Sequence, residues 1–367
     1  MNILTCGCFD LIHSGHIDFL NKIKGNNNKL IVLVHSDRFI STYKRLPIIN
    51  ENDRLKMILN IKCVDEVFID DNDYLSEEII KKYNINSVYQ AVSGITNWNY
   101  YYNNAEKKKI MNYVEYDTNN LSTTEIINKI NTNNHTDYND RYTKENILKS
   151  EKLYGKGFQS PGLEIVLNTL LPNKQCKNIL EIGSGLGGNC LNLYNKYKCD
   201  IIGLDLCKSM IEICEERNNN NNITYLLENY NNFNTKKQFD LILCRDVFMY
   251  INTEQLYNNL QKVKEQLKND GLFILIDYCF GEISNKDFTD YCMNRNWNLI
   301  NVLFYKKLIN DAGLTVVDDN SLSQEYISYF ENKELDIEID VKENLNKKIN
   351  YLKHKNFEWH YFIIKKY

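Results

Sequence analysis

Along this chain of 367 residues, short apolar runs give way to polar breaks and then to apolar positions three and four apart, the pattern of strand, loop and helix in succession. Ile3–Thr5 is the first run, and beyond the break that ends at His16, Ile17, Leu20 and Ile23 recur at helical spacing. The pattern returns at Asn178–Ile182, where the run breaks into glycines before a helical stretch, and again at Asp200–Asp205. Further strands are predicted near Ile223–Leu227, Phe239–Cys244 and Leu272–Ile276, with a helix near Thr253–Leu267. Phe357–Ile364 has strand character and is expected to add an edge strand. Alternation of this kind implies an α/β class, a mostly parallel sheet with helices on both faces. Between the two series, Thr132–Asp140 is polar, lacks periodicity and reads as a linker. The expected organisation is one domain over residues 1–132, a linker over 133–140 and a second domain over 141–367.

Composition narrows the partners. Residues 1–132 carry 15 basic and 16 acidic side chains and the remainder 29 and 32, so neither part has the basic excess of a nucleic-acid or membrane-surface binder. Eleven cysteines are scattered without a Cys-x-x-Cys pair, which argues against zinc or redox chemistry and for a reducing, cytoplasmic setting. No metal site is expected. No apolar run approaches membrane-spanning length, and Met1–Cys6 reads as a strand rather than a leader.

Both glycine-bearing breaks carry candidate chemistry. In the later one, Gly183 and Gly185 permit a tight turn, and a helix opening near Gly188 turns free amides toward a ligand. Asp205 ends the next strand about 20 residues on, where a βαβ unit grips a ribose diol. With Glu181 ahead of the first glycine, the run resembles the Asp/Glu-x-Gly-x-Gly loop of class I S-adenosylmethionine-dependent methyltransferases. A nicotinamide-binding loop is the competing reading.

In the earlier break, His13 and His16 stand three apart at a helix start, so both imidazoles project to one face near the positive end of the helix dipole. With Asp10 upstream and Gly15 between them, this favours a phosphate site over a core role. The stretch resembles the Gly-x-Phe-Asp-x-x-His-x-Gly-His signature of the cytidylyltransferase family, and the likeness continues through Lys44 and Arg54, Val64–Val67 and Leu121–Ile126. That resemblance implies an HxGH nucleotidyltransferase fold, CTP with Mg2+ as co-substrate, a phosphoalcohol acceptor such as phosphoethanolamine, and a homodimer through this domain. It also implies that His13 and His16 stabilise the transition state, that Lys44 and Arg54 contact phosphates, and that Gly7, Phe9, Asp10, Ser122 and Thr123 support the nucleotide. Asp117 stands where the family has an arginine, and Ala91–Trp98 lacks the acids of its Gly-Asp-Asp-Trp-like segment. The alternative is a degenerate nucleotide-binding or association module.

From Tyr142 to Phe362 the chain resembles the phosphoethanolamine N-methyltransferases, through Arg245-Asp246, Asp277–Cys279, Tyr291 with Arg295, and Lys348 eleven residues before Trp359. This resemblance implies a class I methyltransferase fold, so that the whole would be two Rossmann-like parallel-sheet domains. It implies S-adenosylmethionine held by Ser160, Glu181, Gly183, Gly185, Asp205, Leu206, Asn229, Tyr230 and Arg245. The substrate phosphate would fall to Tyr278, Tyr291, Arg295 and Lys348 through charge-assisted hydrogen bonds, and the amine to Asp246. Tyr142 and Tyr250 complete the catalytic set, Tyr250 standing where the family has a histidine. Ser150 and Trp297 replace family tyrosines, and Asn229 an aspartate. Together the resemblances imply a bifunctional enzyme of phosphobase head-group metabolism that methylates and activates a phospho-amine.

Overall fold

Five short strands pair in parallel near the start of the chain: β1 (Asn2–Gly7), β2 (Lys29–His35), β3 (Glu66–Asp70), β4 (Ser87–Val92) and β5 (Met111–Glu115), in the order β3-β2-β1-β4-β5. β2 is buried at every position after Lys29, as a central strand covered on both faces must be. Ile3, Val32, Leu20, Ile23 and Ile58 form part of its core. Strand order reverses between β1 and β4, the position at which open α/β sheets leave a ligand crevice beyond their strand ends. The computed structural model describes residues 1–42, 47–92, 101–115, 123, 126, 142–161, 169–283, 286–331 and 337–366. The chain divides into two compact units, Met1–His135 and Thr136–Tyr367; the expected linker at 133–140 lies outside the described residues.

The second unit is built on seven strands: β6 (Asn178–Ile182), β7 (Asp200–Asp205), β8 (Ile223–Leu227), β9 (Phe239–Arg245), β10 (Leu267–Phe280), β11 (Leu314–Ser321) and β12 (Phe357–Lys366). Their order is β11-β12-β10-β9-β6-β7-β8, parallel except that β12 runs antiparallel to both neighbours. Both sheets are thus those of parallel α/β units, as the alternation of apolar periods implies.

Two details correct the expectation. The Phe357–Lys366 strand is interior, between β10 and β11, and β11 is the edge. The polar second half of β11, Asp318 to Ser321, hides it from a search for apolar runs; those acids instead meet polar tips on β12, Asp318 accepting from the Tyr361 hydroxyl at 3.1 Å. β10 also starts earlier than Leu272, because Leu267 already pairs with Phe239 before an irregular step at Lys268–Gly271.

Candidate functional site

In the first unit the loop after β1 passes through left-handed backbone at Phe9 (φ 54°) and Leu11 (φ 46°) before His13 caps the helix Ser14–Lys24. The His13 and His16 rings lie 4.0 Å apart, and the His13 amide donates to His16 Nδ1 at 3.4 Å. This is one imidazole face at a helix N-terminus, as the three-residue spacing demands. Gly7 is close enough to the loop that a Cβ there would lie 3.1 Å from the Phe9 ring.

Asp10 and Arg54 are engaged within the protein. Asp10 is buried and its carboxylate accepts from the Ile48 and Ile49 amides, both at 3.1 Å, while its carbonyl accepts from the Thr123 hydroxyl at 2.8 Å. Arg54 has no exposed surface. Its guanidinium donates to the carbonyls of Ile49 (2.8 Å), His35 (2.9 Å) and Cys8, and to Asp37 Oδ1 (2.6 Å). A cation so engaged spends four of its five N–H donors on the protein and braces the loops around the helix start. Behind it, burial and the Arg54 charge push the His35 imidazole down to about 3, so that it stays neutral against Tyr101 and Phe39. Lys44 and Ser122 lie outside the described residues, as does Asp117.

In the second unit, β6 delivers the chain into the turn Gly183–Gly187, with φ of 77°, 52° and 77° at Gly183, Gly185 and Gly187. A Cβ on Gly183 would sit 2.2 Å from Val247 Cγ2, so backbone and neighbour both require glycine. The helix Gly188–Tyr197 then opens toward a cavity of about 280 Å³. Asp205, at the end of β7, lines that cavity, and its oxygens accept from the amides of Gly185 and Cys207, both at 2.8 Å. Burial raises its carboxyl above the usual range, while those amides favour the anion. Leu206, Asn229, Tyr230, Ser160 and Arg245 line the same cavity. The Tyr230 hydroxyl is turned away to Gln266, and Arg245 donates to the Pro161 carbonyl at 3.0 Å.

Glu181 is placed differently. It is fully buried behind the glycine turn, accepting from Asn189 Nδ2 at 2.8 Å and Cys190 Sγ at 2.9 Å, and does not line the cavity. Burial pushes its carboxyl up to about 7. The loop after the helix Lys144–Tyr154 reaches the turn: the Gly188 amide donates to the Gly157 carbonyl at 3.0 Å, and Glu151 Oε1 accepts from the Gly157 amide at 2.7 Å.

At the other end of the cavity, Asp246 and Tyr250 follow β9, Tyr278 comes from β10 and Lys348 from the helix Ile339–Lys353. The Tyr250 and Tyr142 hydroxyl oxygens are 3.5 Å apart. Lys348 Nζ donates to the Tyr278 hydroxyl at 2.5 Å and lies 4.2 Å from that ring's centre, 5.1 Å from that of Tyr326 and 5.6 Å from that of Trp297. Burial pushes Lys348 down to about 7, against the pull of Asp246. Tyr291 and Arg295 form a layer behind this end, the guanidinium stacked 3.6 Å from the ring centre and donating to Asn344 at 2.9 Å. Tyr154 joins the cluster without having been singled out in the sequence; burial pushes its hydroxyl up to about 12, and it feels the charges of Asp246 and Arg295. Its position one helical turn after Ser150, on the same face of the helix Lys144–Tyr154, was the signal available.

Residues 4–129 match the cytidylyltransferase-like family, and residues 179–271 a methyltransferase domain family. The chain carries a cytidylyltransferase-like domain followed by a methyltransferase domain. Over 252 residues it is 29% identical to the phosphoethanolamine N-methyltransferase of Plasmodium falciparum, covering 61% of this chain and 92% of that one. The cytidylyltransferase-like domain is 42% identical over 69 residues to the FAD synthase of Methanothermus fervidus, 18% of this chain and 48% of that one, about half its length. The fold is also that of Haemonchus contortus phosphoethanolamine N-methyltransferase 2, with a TM-score of 0.57 at 15% identity over 95% of this chain and 99% of that one. No helix among the described residues is long and apolar enough to cross a membrane.

Proposed function

We propose that the methyltransferase domain transfers a methyl group from S-adenosylmethionine to the nitrogen of phosphoethanolamine or a related phospho-amine, and that the cytidylyltransferase-like domain transfers a cytidylyl group from CTP, with Mg2+, to a phosphoalcohol. One observation carries the first half: a single cavity joins a glycine turn and ribose-type acid at one end to a half-buried carboxylate, Asp246, and a half-buried lysine, Lys348, at the other. The residues fit the cofactor, since Gly185 lines the cavity with open space where a Cβ would stand and Asp205 keeps lone pairs for a diol. S-Adenosylmethionine supplies an electrophilic methyl group on a sulfonium.

The chain's own residues do the rest. Lys348 and Tyr278 hold the anionic end of the substrate, and Asp246 accepts an N–H from its ammonium end. A molecule pinned at both ends has its nitrogen fixed in attack distance, which is the main source of acceleration in such a displacement. Tyr142 and Tyr250 close the amine end. The cytoplasm is the proposed setting, in keeping with eleven cysteines and no disulfide. Formation of S-adenosylhomocysteine with phosphoethanolamine, and its steep fall to a residual rate in Asp246→Ala, is the test; equal rates with and without the amine would refute the reading.

For the first domain, the paired imidazoles at a helix N-terminus support phosphate chemistry. A second reading, a nucleotide-binding or association module that forms the homodimer without transfer, is favoured by the internal engagement of Arg54. Radiolabelled CTP offered with several phosphoalcohols separates the two: pyrophosphate release selects transfer, and binding without release selects the module.

A further inference from the structure

Asp246 is held in a strained and asymmetric way. Its backbone is left-handed (φ 56°), a conformation that a non-glycine residue keeps only where the surroundings enforce it. Its amide donates to the Ile276 carbonyl at 2.9 Å. Of the two carboxylate oxygens, Oδ1 accepts from the Trp359 indole N–H at 2.8 Å, whereas Oδ2 is buried and has no hydrogen-bond partner among the described residues. Trp359 is fixed in turn. It is 1% exposed on β12, opposite Tyr278 in the ladder. Its amide donates to Ser323 Oγ at 3.0 Å, its carbonyl accepts from Leu322 at 2.6 Å, and its ring stands edge-on to Tyr326.

We infer that Trp359 is a positioning residue that ties one oxygen of Asp246 and thereby aims the other at the substrate nitrogen. An indole suits this task, because it only donates and never titrates in the working pH range, so it takes up one oxygen without competing for the proton that the amine must lose. One remaining oxygen needs one N–H. An ammonium group has at least one N–H to offer it and a quaternary product has none; in the transfer itself the nitrogen gives up one proton to solvent, its lone pair forms the N–C bond as the S–C bond breaks, and S-adenosylhomocysteine leaves. This rests on the proposed methyl transfer and deepens it.

The test is a double-mutant cycle on the full chain with phosphoethanolamine and S-adenosylmethionine. Trp359→Phe keeps an aromatic ring and removes the N–H; kcat should fall about 10- to 100-fold while KM for S-adenosylmethionine stays within about twofold. In an Asp246→Ala background the same substitution should cost less than about a further twofold, whereas a purely structural tryptophan would multiply the two losses. An independent measurement does not require the tryptophan variant to fold. The chain has three tryptophans, and the Trp359 indole N–H resonance should move upfield in Asp246→Ala. An unmoved indole resonance, multiplicative losses, or a native-like Trp359→Phe enzyme overturns the inference alone. A native protein that methylates no phospho-amine overturns the proposed function with it.

Discussion

Tyr250 stands where the resemblance places an imidazole, and its hydroxyl has the Tyr142 hydroxyl beside it at 3.5 Å. No imidazole is among the described residues that line the cavity, so turnover should draw on the small free-amine fraction of the substrate and kcat should climb above neutrality. Lys348 acts in the opposite direction. Its ammonium is present below about 7 and lost above it, so KM for the anionic substrate should rise over the same range in which kcat climbs. Separate kcat and KM profiles between about pH 6 and 10 check both, and Tyr250→His should raise kcat near neutrality because an imidazole titrates there. A flat kcat profile would show that another group takes the proton. Glu181 gives a stability effect with a defined sign. Its folded carboxyl is raised from 4.5 to about 7, so the folded state holds more protons than the unfolded one between those values and loses stability as pH rises through them. Glu181→Gln lacks that loss, and its Tm relative to the native protein should rise across this window and level off above it. At this scale the sequence reveals which side chains occur but not which way they face: Asp246, Lys348 and Asp205 reach the cavity, while Glu181, at the motif's leading position, ends behind it. Arg54 matches its motif equally well, yet its guanidinium is enclosed by carbonyls that come from distant loops.

Among the elements, the glycine turn and the segment before it depend on each other. A Cβ on Gly188 would lie 2.5 Å from the Gly157 carbonyl and 2.8 Å from the Phe158 ring, and backbone on one side leaves little room to yield. Gly188→Ala should therefore push the 155–160 loop outward, destabilise the fold by about 1–3 kcal/mol and weaken S-adenosylhomocysteine binding at least about tenfold, read by calorimetry. Affinity within about twofold of native would show that this loop does not cover the cofactor. The elements nearest the turn were legible because their apolar runs are short, unbroken and bounded by glycine or acid; β6 and β7 span the predicted residues. β11 was not, since half of it is polar and is stabilised by cross-strand partners that a linear reading does not supply.

For the whole molecule, two units with separate sheets imply separable activities. His16→Ala should abolish CTP-dependent pyrophosphate release and leave methyl transfer within about twofold, measured on the same preparation; full pyrophosphate release in the variant would remove the histidine pair from catalysis. In the sequence a polar interval separates two series of alternating runs, and the chain divides into its two compact units after His135. The interior place of β12 was not readable, because strand order is set by contacts far apart in sequence. That place makes the second unit self-checking. Neighbouring residues of a strand point to opposite faces, so a slip of β12 by one residue would withdraw the indole from Asp246 and present Glu358 or His360 in its stead. A glutamate there would set one carboxylate against another. Misregistered molecules would then be catalytically mute rather than promiscuous, and the assay for methyl transfer would double as an assay for correct assembly of the sheet.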